Sequence, residues 1–287
     1  MIKDSLGDRM KDYYESVPRI HLVRRMPVAI RLDGAHFHSF TQGFKRPFDD
    51  ILVTSIQQTM KSLCENIQGT VLGYCQSDEI TLILLDYMAL DTQAWFDYEV
   101  QKMVSTSASL ATLYFNRHFH SEVMQFTSQH MNSDTDHTKE ELDYIIAIEK
   151  AMNKGATFDS RCYNIPKEEV TNLIYWRQLD AIRNSILMVG QANYNPKELL
   201  NKSCNEVKEM LLKEKNINWD ELPTHLQQGS CCIRKPGPIQ IITKEQEFGD
   251  PIELCRQIWK WEIDTEIPIF KGDGREYIEK LIYIGEE

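Results

Sequence analysis

Acidic side chains at the ends of β-rich runs are the first residues in this chain that could do chemistry. In VAIRLDGAHFHSF, residues 28–40, an apolar alternation ends in Asp33-Gly34. In QSDEITLILL, residues 76–85, Asp78 and Glu79 stand at the mouth of a second run of β-formers. Two carboxylates ~4 Å apart repel by roughly 4 kcal/mol at an effective dielectric of about 20. A divalent cation relieves that repulsion. Hard oxygen ligands suit Mg²⁺, which takes one or two carboxylates plus substrate phosphates. Two such ions would activate an attacking oxygen and stabilise a leaving one in phosphoryl or nucleotidyl transfer. Either stretch alone reads as an ordinary turn, because Asp-Gly is a common turn dipeptide and Ser77-Asp78-Glu79 can cap a hairpin in water. The two together favour a metal site.

The loop after Asp33 offers groups for an anion. Gly34 permits close backbone approach, and successive N–H groups from Ala35, His36, Phe37 and His38 can form a nest. Lys45 and Arg46 lie near enough in sequence to reach phosphates, Arg46 through a bidentate fork. His36 and His38 could ligate zinc, but no third or fourth partner lies nearby, so a polar loop role is favoured. Phe37 and Phe40 read as core anchors. A third cluster sits in LIYWRQLDAIRNSIL, residues 173–187, where helical spacing puts Arg177, Asp180 and Asn184 on one polar stripe. The plain alternative is an exposed ion pair worth about a few tenths of a kcal/mol. Trp176 reads as core.

The elements that must position these groups follow from periodicity. Val28, Ile30 and Leu32 alternate with Ala29, Arg31 and Asp33, which predicts a half-buried strand delivering Asp33 at its carboxyl end. A helix capped at Asp49 or Asp50 follows, with Leu52, Ile56, Met60, Leu63 and Ile67 on one face. Residues 71–75 and 80–85 then predict a β-hairpin with Asp78 and Glu79 in its turn. Downstream, the spacing predicts a helix over 93–118, a polar mobile stretch over 128–137, and a helix from the Thr138/Glu141 capping box to about Asn153. Residues 156–165 read as extended. Pro166 opens a helix closed by Gly190, and Asn195-Pro196 starts another to about Lys215. The tail shows short strand-like pieces at 239–243 and 281–284. A catalytic domain over 1–235 and a small accessory region over 236–287 are expected.

Composition narrows the class. The chain has 287 residues, 42% hydrophobic and 26% charged, enough for a substantial core. No apolar run reaches bilayer-spanning length, and the start, MIKDSLGDRMKDYYE, lacks a signal-like apolar region, so a soluble cytoplasmic protein without a membrane partner is expected. Seven scattered cysteines with no C-x-x-C predict reduced thiols rather than a zinc site or a disulfide framework. The net charge of −11, from 32 Lys and Arg against 43 Asp and Glu, argues against nucleic-acid binding driven by overall field. It leaves room for a local basic groove, including one formed between subunits.

Five stretches, RLDGAHFHSF, FKRPFD, YCQSDEITLIL, FDSRCYNIP and YWRQLD, occur in one order across roughly residues 28–215. Together they resemble the histidine-tRNA guanylyltransferase family, and most of all its bacterial and archaeal relatives, the guanylyltransferase-like 3′–5′ RNA polymerases. The resemblance implies an α+β, polymerase- or cyclase-like palm with a ferredoxin-like βαββ core, helical additions and a small C-terminal region, assembled as a homotetramer. It implies a nucleotidyltransferase that adds nucleotides to the 5′ end of tRNA, using ATP and GTP as substrates and two Mg²⁺ ions per site. Asp33, the Gly34 carbonyl and Asp78 match the metal ligands, and Glu79 the adjacent essential acid. Residues Ala35 to His38 match the triphosphate loop, and Arg46 and Asp49 its basic–acidic pair. Ser77, Arg161, Arg177 and Asp180 match polar positions linked to nucleotide or tRNA.

Three departures bear on the reaction. Ile182, Arg183, Asn184 and Ser185 stand where the eukaryotic enzymes carry His-Ile-Asn-Asn. Cys204 replaces a lysine, and Ala35 an arginine. These changes favour template-directed repair of truncated 5′ ends over addition of the extra guanosine to histidine tRNA. A non-catalytic tRNA- or nucleotide-binding protein and a nucleotide cyclase on the same palm are the rival readings.

Overall fold

The computed structural model describes residues 5–131, 138–244 and 252–284. A six-stranded antiparallel sheet in the order β4-β1-β3-β2-β5-β6 runs through the molecule. After the short helix α1 (Ser5–Met10), the central unit is β1 (Val28–Ala35), the single turn α2 (Phe37–Phe40), α3 (Asp50–Asn66), β2 (Thr70–Gln76), β3 (Glu79–Leu84), α4 (Val100–Met131), α5 (Lys139–Lys154) and β4 (Thr157–Asn164). Without α2 and α5 this is a ferredoxin-like βαββαβ unit, as the family resemblance implied, and it contains the strand, helix and hairpin that periodicity predicted.

Alternation along β1 sets the two layers. Val28, Ile30 and Leu32 join Leu82 and Leu84 of β3 under α3 and α4, where Ile56, Met60, Leu63, Phe115 and Phe119 complete the core. Ala29 and Ile83 face the other way, onto Val170 and Ile174 of α6 (Lys167–Asn193) and Ile278 and Ile282 of α10 (Glu276–Ile282). Arg31 and Asp33 share the parity of Ala29, so β1 carries its polar groups to the α6 side. Burying these apolar side chains contributes about 1.5–3 kcal/mol each.

Several elements differ from expectation for identifiable reasons. A short 3₁₀ turn over Trp95–Tyr98 precedes α4, which starts at Val100 and runs to Met131, so residues 128–131 belong to the helix. Residues 132–137 of the expected mobile stretch lie outside the described residues. Gly190 sits inside α6 rather than closing it, because a Cβ there would stand 2.9 Å from Val207 of α8 (Cys204–Lys215). The single helix expected from Pro196 is two, α7 (Pro196–Leu199) and α8. The capping box of Ser203 and Glu206 starts α8 afresh.

The tail differs most. After α9 (Thr224–Gln228), β5 spans Ser230–Lys244 and pairs with β6 (Ile252–Asp264). The expected boundary at 235 therefore falls inside β5. Pro236-Gly237-Pro238 interrupts the sequence pattern, yet β5 pairs with β2 only over Ser230–Ile233, and the register shifts between Pro236 and Ile239. Proline is tolerated on such a one-sided stretch because its missing donor faces no partner strand. Leu281 and Ile282 end α10, where Ile278 and Ile282 are buried one turn apart. Among the described residues no helix is long and apolar enough to cross a membrane.

Candidate active site

The ends of β1 and the β2–β3 hairpin meet. Gln76 pairs with Glu79, so the turn is only Ser77-Asp78, with Ser77 at φ 50°, and Glu79 opens β3 rather than lying in the turn. The Gly34 N–H donates to the Asp78 carbonyl at 3.1 Å, and Asp33 stands opposite Glu79 in register. Burial pushes the Asp78 carboxyl up, and the nearby Asp33 and Glu79 push it further; the Ser77 hydroxyl, donating to Oδ1 at 3.0 Å, opposes them. A clasped loop of like charges with hard oxygen donors fits a divalent cation of the Mg²⁺ class, which needs only two carboxylates beside substrate oxygens. Among the described residues no three His, Cys, Asp or Glu side chains group as a metal site of their own.

Glu79 is held by arginines. Arg177 of α6 donates to both its oxygens, Nε to Oε1 at 2.6 Å and Nη2 to Oε2 at 2.9 Å, and Arg31 adds a contact to Oε2 at 2.5 Å. Both carboxylate oxygens accept from guanidiniums, so the acid expected beside an ion also ties α6 to the sheet next to Asp33. Asp180 completes the array, accepting from Arg177 at 3.0 Å, Arg183 at 2.7 Å and Asn184 at 3.4 Å. Thus Arg177, Asp180 and Asn184 do form one stripe, a network that starts at the buried Arg177 and opens outward through the half-buried Asp180 and Asn184 rather than an exposed ion pair. Arg161 lies opposite Arg31 on β4, paired with Asp159 at 3.0 Å. Trp176, expected in the core, is 53% exposed.

On the other side of the hairpin turn opens a cleft of about 560 Å³. Expected site residues that line it are Phe37, His38, Lys45, Arg46, Asp49, Ser77, Asp78 and Asn184. Arg46 is exposed, and among the described residues no ion pair engages it, so its guanidinium is available to a phosphate. Lys45 lies 4.7 Å from the Tyr144 ring and 5.0 Å from Phe126. His36 adopts the left-handed conformation at the start of α2, the kind of αL–helical junction that can turn successive N–H groups to one side. Phe37 is the core anchor expected of it, packed against Phe40, Phe115 and Phe158. That packing explains Gly34, since a Cβ there would overlap the Phe37 ring.

Asp49 differs from a nucleotide contact. Its buried carboxylate accepts from the Leu52 N–H at 3.0 Å as the α3 cap, from the Lys45 N–H at 3.1 Å and from the Tyr144 hydroxyl at 2.9 Å. It holds the Lys45–Arg46 loop in place. Gln57, His225 and Ser230 line the cleft unannounced by any motif; Gln57 and Ser230 are hydrogen-bonded at 2.8 Å across 173 residues. Arg31 was findable, since alternation alone puts it on the face of Asp33. A second hollow of about 790 Å³ on α4 and β4, between Thr112, Asn116 and Phe158, is shallow and carries no carboxylate.

Known proteins resemble this chain in sequence and fold. Residues 7–166 match the family described as Thg1: tRNAHis guanylyltransferase. A solved structure of a bacterial tRNA(His) guanylyltransferase (Thg1)-like protein in complex with ATP is 38% identical, with a TM-score of 0.74 over 98% of this chain and 100% of that one. Its counterpart in complex with GTP is 36% identical, with a TM-score of 0.69 over the same shares. A probable tRNA(His) guanylyltransferase of Dictyostelium discoideum is 26% identical over 237 residues, 78% of this chain and 80% of that protein. The family match ends at the residue before α6, whereas the bacterial likeness runs through α6 and the hairpin of β5 and β6. With more than half its length inside that match and a palm whose hairpin turn is clasped to the end of β1 through the Asp78 carbonyl, this chain belongs to the tRNAHis guanylyltransferase family of nucleotidyltransferases.

Proposed function

We propose that this chain adds nucleotides to the 5′ end of tRNA in the 3′–5′ direction, copying the opposing strand to restore truncated ends. The observation that carries the reading is the clasp between Gly34 and Asp78, which brings the hairpin turn to the end of β1 next to Asp33 and leaves Asp78 lining a nucleotide-sized cleft. ATP and GTP bound to the bacterial Thg1-like proteins support triphosphates as the cleft's occupants.

Asp33, Asp78 and the Gly34 carbonyl would hold two Mg²⁺ ions. When bound, they neutralise the triphosphate and lower the pKa of the attacking hydroxyl. Arg46, His38 and the N–H groups at the start of α2 hold the triphosphate tail. The 5′-monophosphate of the RNA attacks the α-phosphorus of a triphosphate and releases pyrophosphate. The 3′-hydroxyl of the incoming nucleotide then attacks the activated 5′ phosphorus, expelling the nucleoside monophosphate. Glu79 keeps Arg177 and Arg31 fixed beside these charges. Assembly as a homotetramer would let basic residues of another subunit hold the rest of the tRNA.

Templating is favoured by the residues after the WRQ-x-D stretch. Ile182 packs into the α6–α8 cluster, and the buried Ser185 hydroxyl accepts from the Trp219 indole at 3.0 Å. Neither is free to select a particular guanosine. The second reading, addition of the extra guanosine to histidine tRNA, draws on the description of the matched family. A 5′-monophosphorylated tRNA lacking its first nucleotide, given Mg²⁺ and all four triphosphates, separates them. One added nucleotide that changes with the opposing base supports templated repair; guanosine regardless of that base supports the second reading.

A further inference from the structure

Trp176 is a large aromatic residue displayed beside the acidic centre. On α6 it lies next to Arg177, whose guanidinium is 4.5 Å from the indole centroid, and the Arg31 guanidinium is 5.6 Å away. Both arginines donate Nη2 to the same oxygen of Glu79, so the two guanidiniums next to the ring converge on one carboxylate. With those two contacts made, Trp176 still leaves 53% of its surface exposed, although its residue type is ordinarily well buried.

Position and charge indicate the occupant. Arg31 and Asp33 lie two residues apart on the same face of β1, so the indole stands within one side chain of the carboxylates. The cleft lies on the other side: its α6 lining runs from Ala181 to Gln191 and does not include Trp176. The surrounding cations are already matched, Arg31 by Glu79, Arg177 by Glu79 and Asp180, Arg183 by Asp180 and Arg161 by Asp159. A flat aromatic face among paired charges suits an uncharged, planar group better than a bare phosphate. Two substrates must meet at the carboxylates. The enclosed cleft suits a free triphosphate, and the open indole suits the end of a chain.

Resting on the proposed reaction, we infer that Trp176 stacks on the 5′-terminal base of the RNA and positions that end for attack. It is a positioning residue, held by Arg177 and Arg31, and it touches no reacting atom.

The test uses the full chain and a 5′-monophosphorylated tRNA lacking its first nucleotide, with 2-aminopurine at the new 5′ terminus. Wild type and Trp176→Phe quench the fluorophore on binding, and Trp176→Leu does not. The KM for this RNA rises roughly ten-fold in Trp176→Leu, the order expected for losing one stacked base. The KM for triphosphate and the thermal midpoint hold. Equal quenching in Trp176→Leu overturns the inference, as does no quenching by wild type. A rise in the triphosphate KM instead would place the indole on the other substrate and also overturn it. So would a fall in kcat with the RNA KM unchanged, which would make Trp176 only a prop for Arg177. Trp176-dependent quenching without nucleotide addition by wild type would leave the stacking intact and sink the proposed reaction.

Discussion

Arg177 and Glu79 form a bidentate pair, at 2.6 and 2.9 Å, between the middle of α6 and the first residue of β3, and both are about 5% exposed. Removing Glu79 leaves the buried Arg177 guanidinium with only the half-buried Asp180 as its partner and takes the carboxylate from Arg31 as well. Glu79→Ala should therefore cost about 3–5 kcal/mol of stability and abolish nucleotide addition. Glu79→Gln, which keeps one acceptor for Arg177, should cost less. Urea unfolding of both variants checks this; a loss below about 1 kcal/mol in Glu79→Ala, the range of exposed pairs, would mean the pair is effectively solvated.

Asp78 ties stability to pH in the opposite sense from a salt-bridged carboxylate. Its folded pKa is raised by burial and by Asp33 and Glu79, so the folded state holds the proton more tightly than the unfolded one. Its contribution is present below the ordinary carboxylate range and is lost as pH rises through the raised value. In chelator, Asp78→Asn should match wild type at low pH and melt at a higher temperature at neutral pH. Thermal scans across that window decide it, and a variant less stable than wild type at neutral pH would refute it.

Gly34 is required by a ring rather than by its backbone torsion. A Cβ would overlap Phe37, whose side chain packs on Phe115 and Phe158. Gly34→Ala should lose about 1–3 kcal/mol by overpacking and displace the triphosphate loop, raising the KM for ATP. Unchanged stability with unchanged KM would show that the ring moves aside freely.

Asp49 acts through the loop it locks. Asp49→Ala removes the α3 cap and frees the Lys45 N–H and the Tyr144 hydroxyl, at an expected cost of about 1–2 kcal/mol for the cap alone. Because Arg46 follows Lys45, triphosphate affinity should fall as well. Calorimetric titration with ATP should show weaker binding, and intact affinity in a destabilised variant would separate the cap from the site.

The palm was legible because its pattern is local. Alternation in β1, the cap at Asp49, the α3 stripe and the carboxylates at the hairpin each need only a few neighbouring residues. What escaped depends on distant partners. The pairing of Glu79 with Arg177 was invisible because the two lie 98 residues apart. Trp176 read as core because an apolar helix face does not reveal which of its aromatics the sheet leaves uncovered. The long β5 was hidden by Pro236 and Pro238, which are harmless only because β2 ends its pairing at Ile233. The join of Gln57 to Ser230 has no motif at all, and three-dimensional proximity alone puts both in the cleft.

The central claim is that Asp33 and Asp78 act as one metal-dependent centre for 5′ addition. The most direct measurement is the initial rate of one-nucleotide extension on 5′-monophosphorylated tRNA lacking its first nucleotide, across a Mg²⁺ titration, for wild type and Asp78→Asn. The account predicts extension that requires Mg²⁺ in wild type and is absent at every Mg²⁺ concentration in Asp78→Asn, although that variant melts no lower than wild type. Extension by Asp78→Asn at the wild-type rate would contradict it.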